Sequence, residues 1–126
     1  TFTTRIARTA SDLKAACRVR AVAYGHHLPR MHAMMLEPDL LDSDPHTVNV
    51  LCVDKESAEA VGTARFQTNA GGKLLIEHSV AVPGWMSTDT RSEISRLSTV
   101  AGCDPLVKVA LMKAGSLFCV AAQVRW

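Results

Sequence analysis

Apolar residues recur along this chain with two different periods, and the alternation between them lays out its elements. Phe2 to Arg8 alternates loosely and predicts a first strand. Thr9-Ala10-Ser11-Asp12 reads as a helix start with Ser11 as N-cap, and the Ala-rich run from Asp12 to Tyr24 favours helix. Leu13, Cys17, Arg20 and Tyr24 follow at steps of four, three and four and so share one face, with Ala15, Val19, Val22 and Ala23 on another. Arg20 is thus a cation among apolar and aromatic neighbours. Gly25 is placed to end the helix. From Gly25 to His46 the periodicity fades. This segment holds four of the five histidines, three prolines, Met31, Met34 and Met35, and Asp39, Asp42 and Asp44. One helical turn around Met31 to Leu36 is expected there. A stretch of about 20 residues without strong periodicity in a small domain is usually functional or mobile.

Val48 to Val53 is the clearest strand, bounded by Pro45 and by polar Asp54-Lys55-Glu56-Ser57. Ala60 to Gln67 follows, and the polar stretch between them predicts a hairpin. Asn69 to Lys73 is a turn signal, and Leu74 to Val82 then reads as an alternating strand closed by Pro83-Gly84-Trp85. Ser87 to Ser92 is polar and predicts loop or a short helix, before a strand from Arg91 to Val100. Asp104-Pro105 opens a helix, Asp104 as N-cap and Pro105 at its first position. Leu106, Ala110, Lys113 or Ala114, Leu117 and Ala121 line it to about Ala122, with Leu111 and Phe118 thickening the apolar face. Val124-Arg125-Trp126 looks like the start of a further strand. Periodicity supports one α+β domain over residues 1–126, mostly antiparallel, without internal repeats.

The strand from Arg91 to Val100 departs from this plain pattern. Ile94, Leu97 and Val100 suit a buried or half-buried strand, yet Glu93 and Arg96 place an acid and a base among them. An unpaired charge is costly to bury, so such residues are either paired or face a cavity that uses them. A regular strand puts Glu93 and Arg96 on opposite faces, whereas a bulge would bring them together. An ion pair on a sheet edge and a reactive cleft are the two readings.

Composition narrows the function. Apolar residues make up 48%, charged residues 21%, and Gly plus Pro only 12 residues, as in an ordinary globular chain. A net charge of +2 without basic runs or interleaved aromatics gives no footprint for nucleic acid. No apolar run reaches the roughly 18–20 residues of a membrane span, and the first residues do not resemble a secretory signal. Cys17, Cys52, Cys103 and Cys119 are widely spaced among apolar neighbours, which predicts reduced, buried thiols and a cytoplasmic protein. His26, His27, His32 and His46 form no recognised metal-ligand spacing, so no metal site is expected.

Four pieces, spread over residues 18 to 100, carry a resemblance. They are Arg18-Val-Arg20-Ala-Val-Ala-Tyr24 followed by Gly25-His-His-Leu-Pro29, then Asp39-Leu-Leu-Asp42, Gly62-Thr-Ala-Arg65-Phe66, and Glu93-Ile-Ser-Arg96-Leu97. In this order and on these elements they resemble the core of bacterial long-chain N-acyl amino acid synthases, relatives of the acyl-homoserine lactone (autoinducer) synthases. The resemblance implies a GNAT-like N-acyltransferase fold, a mostly antiparallel sheet flanked by helices, and a chain that stops short of the fold's last strands and helix.

It also implies a reaction, in which a fatty acyl group passes from a thioester to an amine. Glu93 becomes the expected base or amine orienter, with Arg96 beside it. Arg20, Tyr24, Asp39, Asp42 and Arg65 become expected substrate-binding residues, the arginines for anionic groups and the aspartates for the arginines or an ammonium group. The expected donor is an acyl-phosphopantetheine thioester on acyl carrier protein, with no permanently bound cofactor, and the acceptor is an amino acid. Acyl-coenzyme A is the less favoured donor. Val100-Ala-Gly102-Cys103-Asp104-Pro105 lacks the glycine-rich pyrophosphate loop, carries an acid and loses a backbone donor at Pro105. The autoinducer branch, which uses S-adenosylmethionine, is the alternative. The loop after the first helix has no tryptophan, a departure from that branch. A non-catalytic domain in which Glu93, Arg96 and the aspartates only pair with one another is the third reading.

Overall fold

The computed structural model describes residues 1–126. Strand β1 (Phe2–Ile6) leads into helix α1 (Ala10–His27) and the short helix α2 (Pro29–Met35). Strands β2 (Thr47–Asp54), β3 (Ala60–Thr68) and β4 (Ser92–Thr99) follow, and helix α3 (Leu106–Ala121) ends the fold. The four strands form one antiparallel sheet in the order β1-β2-β3-β4. This is the α+β, antiparallel architecture expected from the sequence. No helix is long and apolar enough to cross a membrane.

The sheet has two unlike faces. Val50, Cys52, Ala64 and Phe66 point to α3 and form the apolar core with Val107 and Leu111. Two glycines let α3 sit this close. A Cβ on Gly62 would stand 2.5 Å from Val107, and one on Gly115 would stand 2.8 Å from Phe66. Alternation sends Asn49, Thr63, Arg65 and Gln67 to the other side, under α1, and all four are buried. The alternating pattern of β3 therefore does not mark a solvent face. Its polar half is covered by the helix and by the segment before β2.

Several local expectations are corrected. Thr9, not Ser11, caps α1, accepting from the Asp12 amide while Asp12 reaches back to the Thr9 amide. Gly25 does not stop α1, which runs to His27 and gives way at Leu28-Pro29, where proline suits the start of α2. Gly25 instead gives room to the α2 side chain His32, 2.8 Å from where its Cβ would lie. The inward face of α3 is Val107, Leu111 and Gly115 with half-buried Ala110, Ala114 and Phe118; Leu106 and Leu117 point outward. Helix α3 starts one residue later than expected, with Pro105 at its N-cap, and Asp104 just before it accepts from the Leu106 amide at 2.9 Å. Val124–Trp126 is not a strand, although the Trp126 carbonyl accepts from the Ser92 amide. Cys17 and Cys52 are buried free thiols, whereas Cys103 and Cys119 are free but only half-buried.

The largest correction concerns Leu74 to Val82. No strand forms there, and only a 3-10 turn over Leu75–His78 is regular. Glu77 folds back to accept from the Leu74 amide at 2.9 Å, which closes the turn from within. The chain from Asn69 to Arg91 is thus a long excursion between β3 and β4, not a hairpin strand.

Candidate active site

The polar side of the sheet gathers most of the expected residues into one ion network. Arg20 projects from the buried face of α1 and its Nη1 donates to both oxygens of Asp42 at 2.9 Å. Its Nη2 donates to Asn49 Oδ1 at 2.7 Å. Arg65, on β3, donates from Nη1 to Asp39 at 2.7 Å and to Asp42 at 3.3 Å, and from Nε to Ser95 Oγ at 3.0 Å. Arg96 reaches the other Asp39 oxygen at 3.3 Å, and its guanidinium stands 6.0 Å from the Tyr24 ring centre. Asp39 caps the 3-10 turn Leu40–Ser43 and Asp42 lies within it, each carboxylate accepting from the other's amide, so the turn fixes both before they meet the arginines. Asn49 Nδ2 completes the frame by donating to the Asp42 carbonyl.

Burial divides this network in two. The side chains of Arg20, Arg65 and Asp42 are 2%, 0% and 0% exposed, whereas those of Arg96 and Asp39 are 28% and 40% exposed. The inner three lock α1, the Asp39–Asp42 turn and β3 together; only the outer two, with half-buried Tyr24, are open to a substrate. Arg96 gets there through a bulge. Thr63 pairs with Ser98 and Arg65 with Ser95, so Arg96 and Leu97 stand opposite Ala64 alone. Arg96 takes φ +55°, a left-handed conformation that costs a non-glycine residue roughly 1–2 kcal/mol. The bulge turns Arg96 to the Glu93 side of the sheet, but the two do not pair. Glu93 has no guanidinium partner; its Oε2 accepts only the Ile76 amide, at 3.3 Å. Asn49 and Ser95 were not expected, because neutral polar residues within strands carry no signal in the sequence.

Electrostatics follow from this packing. Burial pushes the Asp39 carboxyl upward, but the Arg65 charge and hydrogen bonds from Arg96 and Arg65 outweigh it and hold it below the ordinary aspartate value. The Arg8 amide, with Arg5 and Thr9, does the same for Asp12, and Arg91 does so for Glu77. Burial raises the Cys17 and Cys52 thiols, which keeps them protonated. A carboxyl whose folded-state value lies below its unfolded value stabilises the fold at neutral pH, and this stability fades as pH falls through the folded value. The urea midpoint is therefore expected to stay level from pH 7 to 5 and to fall steadily below about pH 4.5. Equal midpoints at pH 7 and pH 3.5 would contradict it.

Two cavities, of about 360 and 440 Å³, lie elsewhere. The first is formed by Val100–Asp104, Val107, Asp54 and the first residues of the chain; the second lies between α1 and the end of the β2–β3 hairpin. Neither is lined by Glu93 or by the ion network. No group of three or more His, Cys, Asp or Glu residues is arranged to hold a metal ion.

No family model matches the chain, and neither does any curated protein. Solved structures do. FeeM, an N-acyl amino acid synthase from uncultured soil microbes, superposes with a TM-score of 0.76 at 14% identity, over 98% of this chain and 67% of that one. The fold is that of the GNAT-like N-acyltransferases. Glucosamine-6-phosphate N-acetyltransferase from Arabidopsis thaliana (TM-score 0.59, 10% identity, 97% of this chain and 76% of that one) and a Trypanosoma brucei acetyltransferase (0.58, 12%, 96% and 76%) share it. At such identities the likeness is one of fold.

Proposed function

We propose that this protein is an N-acyltransferase that moves a fatty acyl group from acyl carrier protein to the amine of an amino acid. The observation that carries the reading is a division of charge. Arg20, Arg65 and Arg96 are all taken up by Asp39 and Asp42, while Glu93, on the same side of the sheet, has no cation. A half-buried carboxylate with one oxygen on an amide and the other free is suited to receive an ammonium group and then a proton. An ammonium nitrogen has no lone pair, so Glu93 first takes one proton from it and passes that proton to solvent. The neutral amine then attacks the thioester carbonyl carbon, the N–C bond forms, Glu93 takes the second proton from nitrogen, and the C–S bond breaks as the thiolate leaves and is protonated.

Arg96 and Asp39 are the network members open to the acceptor. Arg96 would bind its carboxylate, and Asp39 would keep Arg96 aimed. Tyr24 backs Arg96 from α1. Arg20, Arg65 and Asp42 lie too deep to touch substrate and act as positioning residues.

The donor reading rests on the start of α3. Asp104 already occupies the Leu106 amide, and Asp54 and Asp104 line the adjoining cavity. Two carboxylates at a helix N-terminus oppose a pyrophosphate there. A carrier presents its pantetheine from its own surface and does not need that site.

The test offers the protein an amino acid mixture with the acyl-carrier thioester, the matching acyl-coenzyme A, or the carrier thioester plus S-adenosylmethionine. Mass spectrometry is expected to find N-acyl amino acid, formed at least about tenfold faster from the carrier than from coenzyme A, a difference of ~1.4 kcal/mol in barrier. Absence of any amide would overturn the reading. A faster rate from coenzyme A would overturn the donor assignment, and lactone formation would favour the autoinducer alternative.

A further inference from the structure

The excursion between β3 and β4 presents a physical puzzle. Its residues from Asn69 to Arg91 contain three single-turn 3-10 elements and no longer regular structure. Of its large apolar side chains only Leu74 is buried, while Leu75, Ile76, Val80 and Trp85 are exposed. Apolar burial therefore cannot be what holds it in one place.

A polar clasp does that instead. Arg91, at the foot of β4, donates from Nε to Glu77 Oε1 at 2.6 Å. Its Nη1 donates to the carbonyls of Met86, Ser87 and Asp89 at 2.8, 3.1 and 2.9 Å. The second Glu77 oxygen accepts the Leu74 amide, and Asn69 ties the base of the loop, accepting from the Arg91 amide at 2.8 Å. One guanidinium thus joins both halves of the excursion, and the pair is nearly out of solvent, with side chains 12% and 6% exposed. A carboxylate–arginine pair this short and shielded fixes geometry better than an exposed one. The consequence lies at the preceding residue of the turn, Ile76. With Glu77 held, the Ile76 amide faces the Glu93 carboxylate and donates to it.

We propose that Arg91 and Glu77 are positioning residues that hold the Leu74–Val80 loop over Glu93, orienting the carboxylate that receives the acceptor amine. The inference rests on the acyl-transfer reading for its catalytic part and on the clasp alone for its structural part. Opening the clasp removes the Ile76 amide from Glu93 and leaves the carboxylate free to rotate, which slows the chemical step. It leaves Arg96 and Asp39, and with them acceptor binding, as they are.

Two variants of the full chain separate these effects, Arg91→Gln and the milder Glu77→Gln. Hydrogen exchange is expected to speed up by about tenfold or more across residues 74–80, the Ile76 amide included, with α1 and β2 protection unchanged. In the transfer assay kcat is expected to fall about 10- to 100-fold while the acceptor KM stays within about threefold, since misplacing a reacting group costs rate more than binding. Unchanged exchange at Ile76 in Glu77→Gln would overturn the proposal. So would faster exchange with unchanged kcat, because the clasp would then be structural only. A parent protein that makes no amide would sink the transfer reading, and the exchange result would then decide the clasp by itself.

Discussion

Replacing Asp42 by Asn is expected to destabilise the fold by about 3–5 kcal/mol, the usual cost of breaking a buried ion pair from one side. Asp42 is the only carboxylate that touches both inner arginines, Arg20 at 2.9 Å and Arg65 at 3.3 Å. Asparagine keeps the size of the side chain but brings no charge, and its NH₂ group would turn donors toward donors. Arg65 and Arg96 would then share the half-buried Asp39, and Arg20 would keep no carboxylate partner. Each buried arginine already has one nitrogen without a partner, Arg20 Nε and Arg65 Nη2, so no spare acceptor stands ready. For a domain whose total stability is of the order of 5–15 kcal/mol, such a loss is large. With a urea slope of about 1–3 kcal/mol per molar, the midpoint should fall by more than about 1 M. Urea unfolding of both proteins, followed by circular dichroism, checks it. A shift under about 0.3 M would mean that the network contributes little to holding α1 on the sheet.

The same network shows how much of the site could be read from the chain. Arg20 betrayed itself as a cation on an inward helical stripe, beside Cys17 and Tyr24. Arg65 did so as a charge between Ala64 and Phe66 on a strand, and Glu93 and Arg96 as charges among Ile94 and Leu97. Charge in an apolar period is a strong signal because burying it alone is costly. Asn49 and Ser95 gave none, since neutral polar residues are common on strands. The left-handed backbone at Arg96 was also hidden. Nothing in an arginine's identity favours a positive φ, and the bulge is set by how β3 and β4 pair.

The fold was legible in the periods of β1, α1, β2, β3, β4 and α3, although the ends expected for α1, Ser11 and Gly25, are not the ones that form. It failed at Leu74 to Val82, where Leu-Leu-Ile-Glu-His-Ser-Val reads as strand. The local signal against it was Glu77, three residues beyond Leu74, able to close a turn on its own backbone. The pairing that defeats the strand, Arg91 with Glu77, joins residues far apart in the chain and is invisible to any local window. The inward face of α3 was misplaced for another reason. That helix is apolar nearly all round, so its period does not single out one stripe.

Replacing Glu93 by Gln is expected to slow acyl transfer by about 10²–10⁴-fold, the usual worth of a positioned general base. The change is nearly isosteric, and Gln keeps an oxygen to accept the Ile76 amide. Because Glu93 holds no ion pair, no buried cation is left behind, and stability should move by no more than about 0.5 kcal/mol. This separation of rate from stability is the reverse of what Asp42→Asn predicts, and it distinguishes a reacting carboxylate from a structural one. The deciding measurement is the single-turnover rate of amide formation from carrier-bound acyl thioester, in the parent and in Glu93→Gln, at matched folded fraction. A drop of at least about 100-fold is predicted; equal rates would contradict the assignment of Glu93 as the group that meets the amine.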